Sequence, residues 1–396
     1  MAYTETTSTS YGQRLAGSAK GMIGGLLMFI IGTCLLWWNE GRTVRTAKAI
    51  GDAASHVESV ADVSRVDASL NGKLIHASAF ADTKDTLTDD MFGVRELAIR
   101  LDRKVEYYQW VENAQTRERE KIGGGKETTT TYTYEQKWVD KPVNSAEFKD
   151  PQYQSANKVL SEVEERNEMA QHVTFGAYTL PESFVASISG SEPVEVRMTE
   201  EQRFTWNERL HTLRPKVNTE TSLVHTSANT AYLGLSPNSP QVGDVRVTFT
   251  KVPPADISLI AQVDGSTFKA YRAKNGQSFS RVQMGTVGAD EMIEQARSEN
   301  NMLTWVLRLV GVLLIVIGLK GMFGLLPMLF KVLPFLGSIV DAGVGLVSWI
   351  LGLAWSFIII AIAWLVFRPI IGISLLVLAI AGIVFLKRRG KKNEEK

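Results

Sequence analysis

Apolar positions crowd the two ends of the chain and thin out between them. Residues 302–319 form a run of about 18 residues with one charge, Arg308, near its start. At about 1.5 Å per residue this run approaches the roughly 30 Å hydrocarbon thickness of a bilayer. The stretches 343–367 and 370–386 repeat the pattern, and 21–38 supplies another near the N-terminus. The pattern predicts four transmembrane helices. Trp37 and Trp38 close the first run, Trp305 and Arg308 sit near the start of the second, and Arg368-Pro369 fits a short turn between the last two. These are residue types that anchor a helix at the membrane interface, with Arg308 close enough to an end to snorkel. Between them, 320–342 is apolar but interrupted by Pro327 and Pro334, which predicts an interfacial or re-entrant connection. A crossing there would raise the count to five and separate the termini.

The middle, 39–301, reads like a water-soluble α+β domain. Val44, Ala47, Ile50, Ala54 and Val57 recur at helical spacing. Leu97, Ile99, Leu101, Val105, Tyr107 and Val111 then alternate with Arg100, Asp102, Lys104 and Glu106. A charged turn over 117–127, with Gly123 to Gly125, leads to 128–139, where Tyr132, Tyr134 and Trp138 keep period two. A long hairpin follows from this pattern. Residues 155–169 suggest a polar helix, and 173–178, 184–188 and 245–250 suggest strands. The runs 257–263 and 267–272 flank Asp264-Gly265, and Asn275-Gly276 marks a further reversal. Residues 289–301 are helix-like and reach the second apolar run without a breaker. Residues 1–10, rich in Thr and Ser, read as frayed.

Charge settles the orientation. Lys387, Arg388, Arg389, Lys391 and Lys392 resist translocation, so the C-terminal tail 387–396 is expected in the cytoplasm. Four spans return the N-terminal segment 1–20 to that side and place 39–301 outside it, in a periplasm or a lumen. Gly17, Gly21 and Gly25, at four-residue spacing, form a small-residue stripe suited to close helix packing. A cleaved signal peptide, with Ala47 and Ala49 as its site, is the weaker reading of 21–38. A net charge of +1 and the absence of a basic stripe with interleaved aromatics exclude nucleic acid as a partner. The single cysteine, Cys34, lies in the first apolar run, so one chain has no disulfide framework. One cysteine beside an exported domain points to a bacterial envelope.

Candidate chemistry is sparse. His56, His76, His172, His211 and His225 are scattered singly, without metal-ligand spacing, and no phosphate loop or serine elbow is present. Cofactors, metal and catalytic residues are therefore expected to be none, and the chain is read as no enzyme. Asp341 and Lys331 flank the interrupted segment, so a channel or transport path near 320–342 is the alternative function. An unrecognised enzyme or ligand-binding module in the outer domain is the third.

Several strings, in order, resemble the LUMA family of transmembrane proteins over nearly the whole chain. They are Asn39-Glu40-Gly41-Arg42, Tyr108-Gln109-Trp110-Val111-Glu112, Asn144-Ser145 followed by Phe148, Gly243-Asp244-Val245-Arg246-Val247, Thr304-Trp305 with Arg308 and Gly311, and Arg368-Pro369. Where the family pattern resembles Gly-His-x-Asn-Pro, this chain instead has Tyr153 to Lys158. The resemblance implies four spans, a large luminal domain, self-association and a scaffolding role in membrane organisation. On that basis the chain is expected to be a homo-oligomeric scaffold in the lipid bilayer that gathers other membrane proteins. Asn39 to Arg42 are expected to fix the exit of the first helix, with Gly41 freeing a turn and Arg42 reaching Glu40 or lipid phosphate.

Overall fold

Two helices much longer than a bilayer is thick carry the outer domain. In the computed structural model, which describes residues 2–158, 163–330, 334–374, 377–378 and 381, helix α1 (Tyr11–His56) has 46 residues and α4 (Ala289–Phe323) has 35. Ser10 and Gln13 close the start of α1 with a reciprocal capping box. The helix then runs through the apolar segment, the Asn39–Arg42 string and the amphipathic stretch to Val57 without a break. The exit turn expected at Gly41 is therefore absent: Gly41 is helical, and the α1 backbone leaves the membrane as a helix.

α1 and α4 pack antiparallel along most of their length. The buried positions of α1 include Gly25, Gly32, Leu36, Asn39, Thr43, Ile50 and Ala53. Those of α4 include Met292, Ala296, Asn300, Thr304, Gly311, Ile315 and Gly318. Spacings of three, four and seven residues are those of a seam between helices crossing at a small angle. Contact is backbone to backbone: a Cβ on Gly25 would lie 2.6 Å from the Gly318 carbonyl oxygen, and one on Gly318 would lie 2.6 Å from the Phe29 nitrogen. A Cβ on Gly17 or Gly21 meets nothing within 4 Å. The close-packing residues thus lie seven apart, Gly25 with Gly32, because that spacing keeps a face toward its partner where a strict four-residue stripe rotates away.

A third long helix, α6 (Pro334–Phe367), leans on this pair, with α5 (Leu325–Phe330) between. Three helices, Tyr11–His56, Ala289–Phe330 and Gly337–Phe367, are long and apolar enough to cross a membrane. Residues 320–323, 325–330 and 334–342 are helical, with a turn residue at Gly324. Pro327 falls inside α5 and Pro334 is the first residue of α6, so each lies in a described helix. Lys331 lies outside the described residues; Asp341 faces Lys320 at 3.8 Å. After Arg368 a helix resumes at Pro369 and is described to residue 374. Most of the expected span 370–386 and the basic tail lie outside the described residues.

The outer domain holds two large sheets. The first has the order β1 (Tyr3–Thr9), β7 (Lys126–Val139), β6 (Arg100–Glu120), β14 (Val245–Val252), β13 (Thr230–Leu233) and β12 (Val224–Ser227); β8 (Arg166–Met169) joins β6 and β11 (Glu192–Pro193) joins β14. The second runs β19 (Arg281–Met284), β15 (Ala255–Asp264), β16 (Thr267–Lys269), β10 (Tyr178–Leu180), β9 (Val173–Phe175), β3 (Leu74–Thr83) and β2 (Glu58–Ser59). Two small hairpins, β4 (Thr86–Asp89) with β5 (Val94–Leu97) and β17 (Tyr271–Arg272) with β18 (Ser278–Phe279), complete the strands. Helix α3 (Glu200–Leu213) covers the β12 end of the first sheet and buries Trp206 and Leu210. The second sheet rests on the α1 and α4 extensions through Ile50, Ala53, Leu74, Ile260, Met292 and Ile293.

Three expectations fail here. Residues 155–169 form no helix among those described; 166–169 is strand β8, drawn to the edge of β6. The segment 184–188 contributes to a short helix, α2 (Glu182–Val185), that buries Phe184 and Val185. The N-terminal residues are not frayed: β1 pairs with β7 from Tyr3 opposite Tyr132 to Thr9 opposite Lys126. A run of Thr satisfies a strand when a partner edge is available, which local composition does not show.

The long hairpin exists and is longer than expected, with β6 and β7 paired to Glu120 opposite Lys126 and a tip over 121–125. From Tyr107 its strands project about 44 Å at about 3.4 Å per residue. The stretch of α1 from Thr43 back to Arg14 is about 43 Å at about 1.5 Å per residue. The hairpin is therefore an arm matching the helices in length, and its tip closes on α1: Arg14 pairs with Glu120 at 2.8 Å and donates to the Gly124 carbonyl at 2.8 Å. Gly124 has φ +79 and lies against the ring of Tyr11, so no other residue fits. Residues 3–14 and the tip consequently lie together at the N-terminal end of α1.

The seam makes a graded prediction. Gly25→Leu or Gly318→Leu forces the helices apart and lowers stability in detergent by at least about 1–3 kcal/mol, the usual cost of overpacking. Gly17→Leu leaves it unchanged; denaturant titration of the three variants reads the difference.

Candidate functional site

The polar residues of the seam form one connected lock. On α1 Asn39 and Thr43, and on α4 Asn300 and Thr304, repeat Asn-x-x-x-Thr; antiparallel packing turns these repeats into a local two-fold arrangement. Asn39 Nδ2 donates to the Thr304 carbonyl at 3.0 Å, and Asn300 Nδ2 donates to the Thr43 carbonyl at 3.2 Å. Each threonine hydroxyl bonds the carbonyl four residues back, at 2.8 Å for Thr43 and 2.6 Å for Thr304. The two hydroxyl oxygens meet 2.7 Å apart. All four residues are buried.

A charged layer lies beside it. Glu40, with no exposed surface, takes Arg308 Nε at 2.6 Å and Trp364 Nε1 of α6 at 2.8 Å. The guanidinium of Arg308 lies over the Trp305 ring at 4.9 Å and over the Trp364 ring at 5.7 Å. Arg308 does not snorkel to the surface, because a carboxylate from another helix meets it at its own depth. Removing both charges from water is expensive, and the pair holds only because hydrogen bonds and ring faces complete it.

Gly41 admits the Phe367 ring: a Cβ there would lie 2.9 Å from Phe367 Cζ. Trp37 packs tilted against the same phenylalanine, ring centroids 5.4 Å apart. Arg42 turns back to Asn300 Oδ1 at 3.0 Å and Thr304 Oγ1 at 3.2 Å. In place of Glu40, one of its expected partners, it meets Asn300 and Thr304 of α4. Arg368 lies over Trp364 at 5.8 Å, and Pro369 starts the next helical segment. Trp38 is half exposed. Thus 39–42, 304–308 and 364–369 form one cluster binding three helices. Trp364, Phe367, Thr43 and Asn300 were not singled out from sequence; the repeated Asn-x-x-x-Thr pair was the available signal for two of them.

The remaining strings converge on the root of the arm. Trp110 packs edge-on against Tyr153 at 4.9 Å, and Tyr153 stacks on Tyr134 at 4.1 Å, with Phe148 beside Tyr134 at 5.5 Å. The Tyr134 hydroxyl donates to Glu112 Oε2 at 2.6 Å. Asn157 acts as a substitute strand: its side chain accepts from Trp110 N at 2.7 Å and donates to Trp110 O at 2.9 Å, while its own N–H donates to Ser145 Oγ at 3.0 Å. Gly243, at φ +95, donates to the Tyr108 carbonyl at 2.9 Å. The buried carboxylate of Asp244 accepts from Tyr232 and pairs with Arg214. Arg246 bonds Glu106 at 2.9 Å and covers the Trp138 ring at 4.5 Å. Burial, then the bond to Asp244, holds the Tyr232 hydroxyl well above its usual range. Burial, then the bond to Glu112, pushes Tyr134 up to about 12.

Chemically this is bracing. Among the described residues no group of His, Cys, Asp and Glu is placed to hold a metal ion. The histidines are spread apart, with His76 bonded to the Val287 carbonyl at 2.8 Å and His211 to Thr221 at 2.9 Å.

A strand-rich domain mounted on several apolar helices, keyed by a polar lock, defines a multi-pass integral membrane protein. The chain matches the family described as Transmembrane protein 43 over residues 107–369 and belongs to it. It is 27% identical to Transmembrane protein 43 of Rattus norvegicus, covering 95% of this chain and 92% of the relative. It is 26% identical to that of Homo sapiens over the same shares. The Transmembrane protein 43 homolog of Drosophila melanogaster is 27% identical over 92% of this chain and 93% of its own length. No solved structure matches.

Two outcomes are expected. Arg308→Leu alone leaves Glu40 buried without its counter-charge, with only Trp364 bonded to it, and costs about 3–5 kcal/mol, whereas Glu40→Leu with Arg308→Leu costs less than the single change; unfolding of the purified variants in detergent measures both. Tyr134 is neutral in the fold to higher pH than in the unfolded chain. Its stabilising share is therefore complete below about pH 10 and lost as pH rises toward about 12. Tyr134→Phe reduces that alkaline loss in a stability profile.

Proposed function

We propose that the chain is a non-enzymatic, homo-oligomeric scaffold that holds its outer domain in fixed register with the membrane and gathers copies or other membrane proteins around it. The observation that supports this most is continuity: α1 and α4 run unbroken from lipid into the domain core, and the lock keys them to each other and to α6. Such a frame transmits position and offers no hinge. The basic tail assigns the C-terminus to the cytoplasm, and four spans bring the N-terminus to that side. The bulk of 39–301 is then extracytoplasmic, in a lumen or a periplasm. Because the arm tip is clasped to residues 3–14, the arm passes through the membrane layer to the cytoplasmic side.

A second reading, a channel or transport component, draws on a cavity where the arm tip meets the helices, lined by Thr9, Arg14, Ser18, Lys126, Pro327 and Asp341. Flux through reconstituted liposomes tests it; permeation equal to that of empty liposomes removes it. For the scaffold, reconstitution in nanodiscs and mass measurement are expected to give a defined multimer. A monomer at every concentration overturns that reading.

A further inference from the structure

The arm has two long strand edges, and among the described residues neither has a partner strand along its outer length. β1, β7 and β6 form a three-stranded ribbon, with β1 ending the first sheet. Beyond its pairing with β14 up to Tyr107, and the Asn157 bonds at Trp110, β6 has no partner strand on its outer side through Arg119 among the described residues. The other sheet ends are short or covered. β12 has four residues beside α3, with Arg203 bonded to Thr226 at 2.7 Å. β19 has four and is tied to α4 through Arg281 and Glu299. β2 has two. β1 has seven residues, five of them exposed, with one charge, Glu5, and neither proline nor glycine. It carries few of the devices that keep an edge from pairing.

Lipid does not fill this role. Unpaired backbone N–H and C=O groups find no partner among acyl chains, and strands enter a membrane layer only when their edges are closed. Both faces of the ribbon are polar as well: Thr6, Thr129 and Arg117 share one row and Thr7, Thr128 and Glu118 the next. The arm needs protein at its edges and water at its faces.

We propose that the edges are closed by a second copy of this chain, β1 of one copy pairing with β6 of its neighbour, so that the ribbons continue one sheet around a rotation axis. Membrane orientation selects this pairing. Copies inserted the same way are related by rotation about the membrane normal, which preserves strand direction along the arm. β1 and β6 are both antiparallel to β7 and hence run the same way, so rotation presents the β1 edge of one copy to the β6 edge of the next as a parallel pair. Antiparallel pairing of β1 with β1 would turn one copy upside down, and parallel pairing of β1 with β1 about a two-fold axis along the membrane normal would leave both β6 edges open. A head-to-tail contact of this kind closes into a ring when the rotation divides a full turn. A closed ring leaves no edge exposed. The inference rests on the oligomeric reading above and supplies its interface.

Cross-linking of the full chain in native membranes tests it. In a Cys34→Ser background, Thr6→Cys is combined in one chain with Gln115→Cys, Thr116→Cys, Arg117→Cys or Glu118→Cys, so that the register need not be known. Within one chain β7 separates the two strands by about 9–10 Å, too far for a disulfide. Oxidation is therefore expected to give a ladder of covalent multimers for at least one combination, and none above monomer for Thr6→Cys alone. A dimer from Thr6→Cys alone overturns the proposal in favour of β1 self-pairing. No ladder from any combination, in a chain that is still multimeric in nanodiscs, places the interface elsewhere and leaves the scaffold reading standing. A monomer in nanodiscs overturns both.

Discussion

The structure depends on two helix backbones brought into contact inside a membrane. Gly25, Gly32, Gly311 and Gly318 remove the side chains that would hold α1 and α4 apart. Apolar burial gives little reason for helices to meet in lipid, where acyl chains are as apolar as leucine, so close packing and interhelical hydrogen bonds must do it. Asn39, Thr43, Asn300 and Thr304 bond across the seam only because the glycines allow the approach. The glycines keep their register in turn because the asparagines read each other's backbone. Glu40, Arg308 and Trp364 extend this to a third helix, where a buried charge pair specifies which helices meet more than it stabilises them.

The outer domain inherits its placement from that seam. Above the lock, the α1 and α4 faces change from glycine and threonine to Ile50, Ala53, Met292 and Ile293, which serve as the platform for the second sheet. The first sheet is placed by β14 beside β15 in the chain, and it throws out the arm. The strings that carry the family resemblance fall in two places, the lock and the arm root, and both brace a long element.

The arm also carries the main tension in the fold. Its length matches the helices beside it, its tip is clasped to Arg14 and Tyr11, and its faces and edges are polar where the helices present Ile, Leu and Phe outward. The described residues of a single chain supply no enclosure for such a ribbon. The proposed assembly of several copies would resolve this with the groups already present, since the strand directions needed for edge pairing are those the ribbon has.

The sequence by itself determined what is set by local period and composition. The apolar runs, the long hairpin from Tyr107 to Val139, the reversal at Gly265 with φ +63, and the unbroken passage from 289 into the membrane were all legible there. Each is fixed by residues within a turn or a pleat of one another. Tertiary structure alone decided what depends on a partner far along the chain. Asn39 meets a carbonyl 265 residues away, the Thr run at 3–9 becomes a strand because the edge of β7 is offered to it, and 166–169 takes strand geometry from β6. Backbone hydrogen-bonding groups accept whichever partner the packing brings, and a polar segment carries no periodic mark of a partner it has yet to meet.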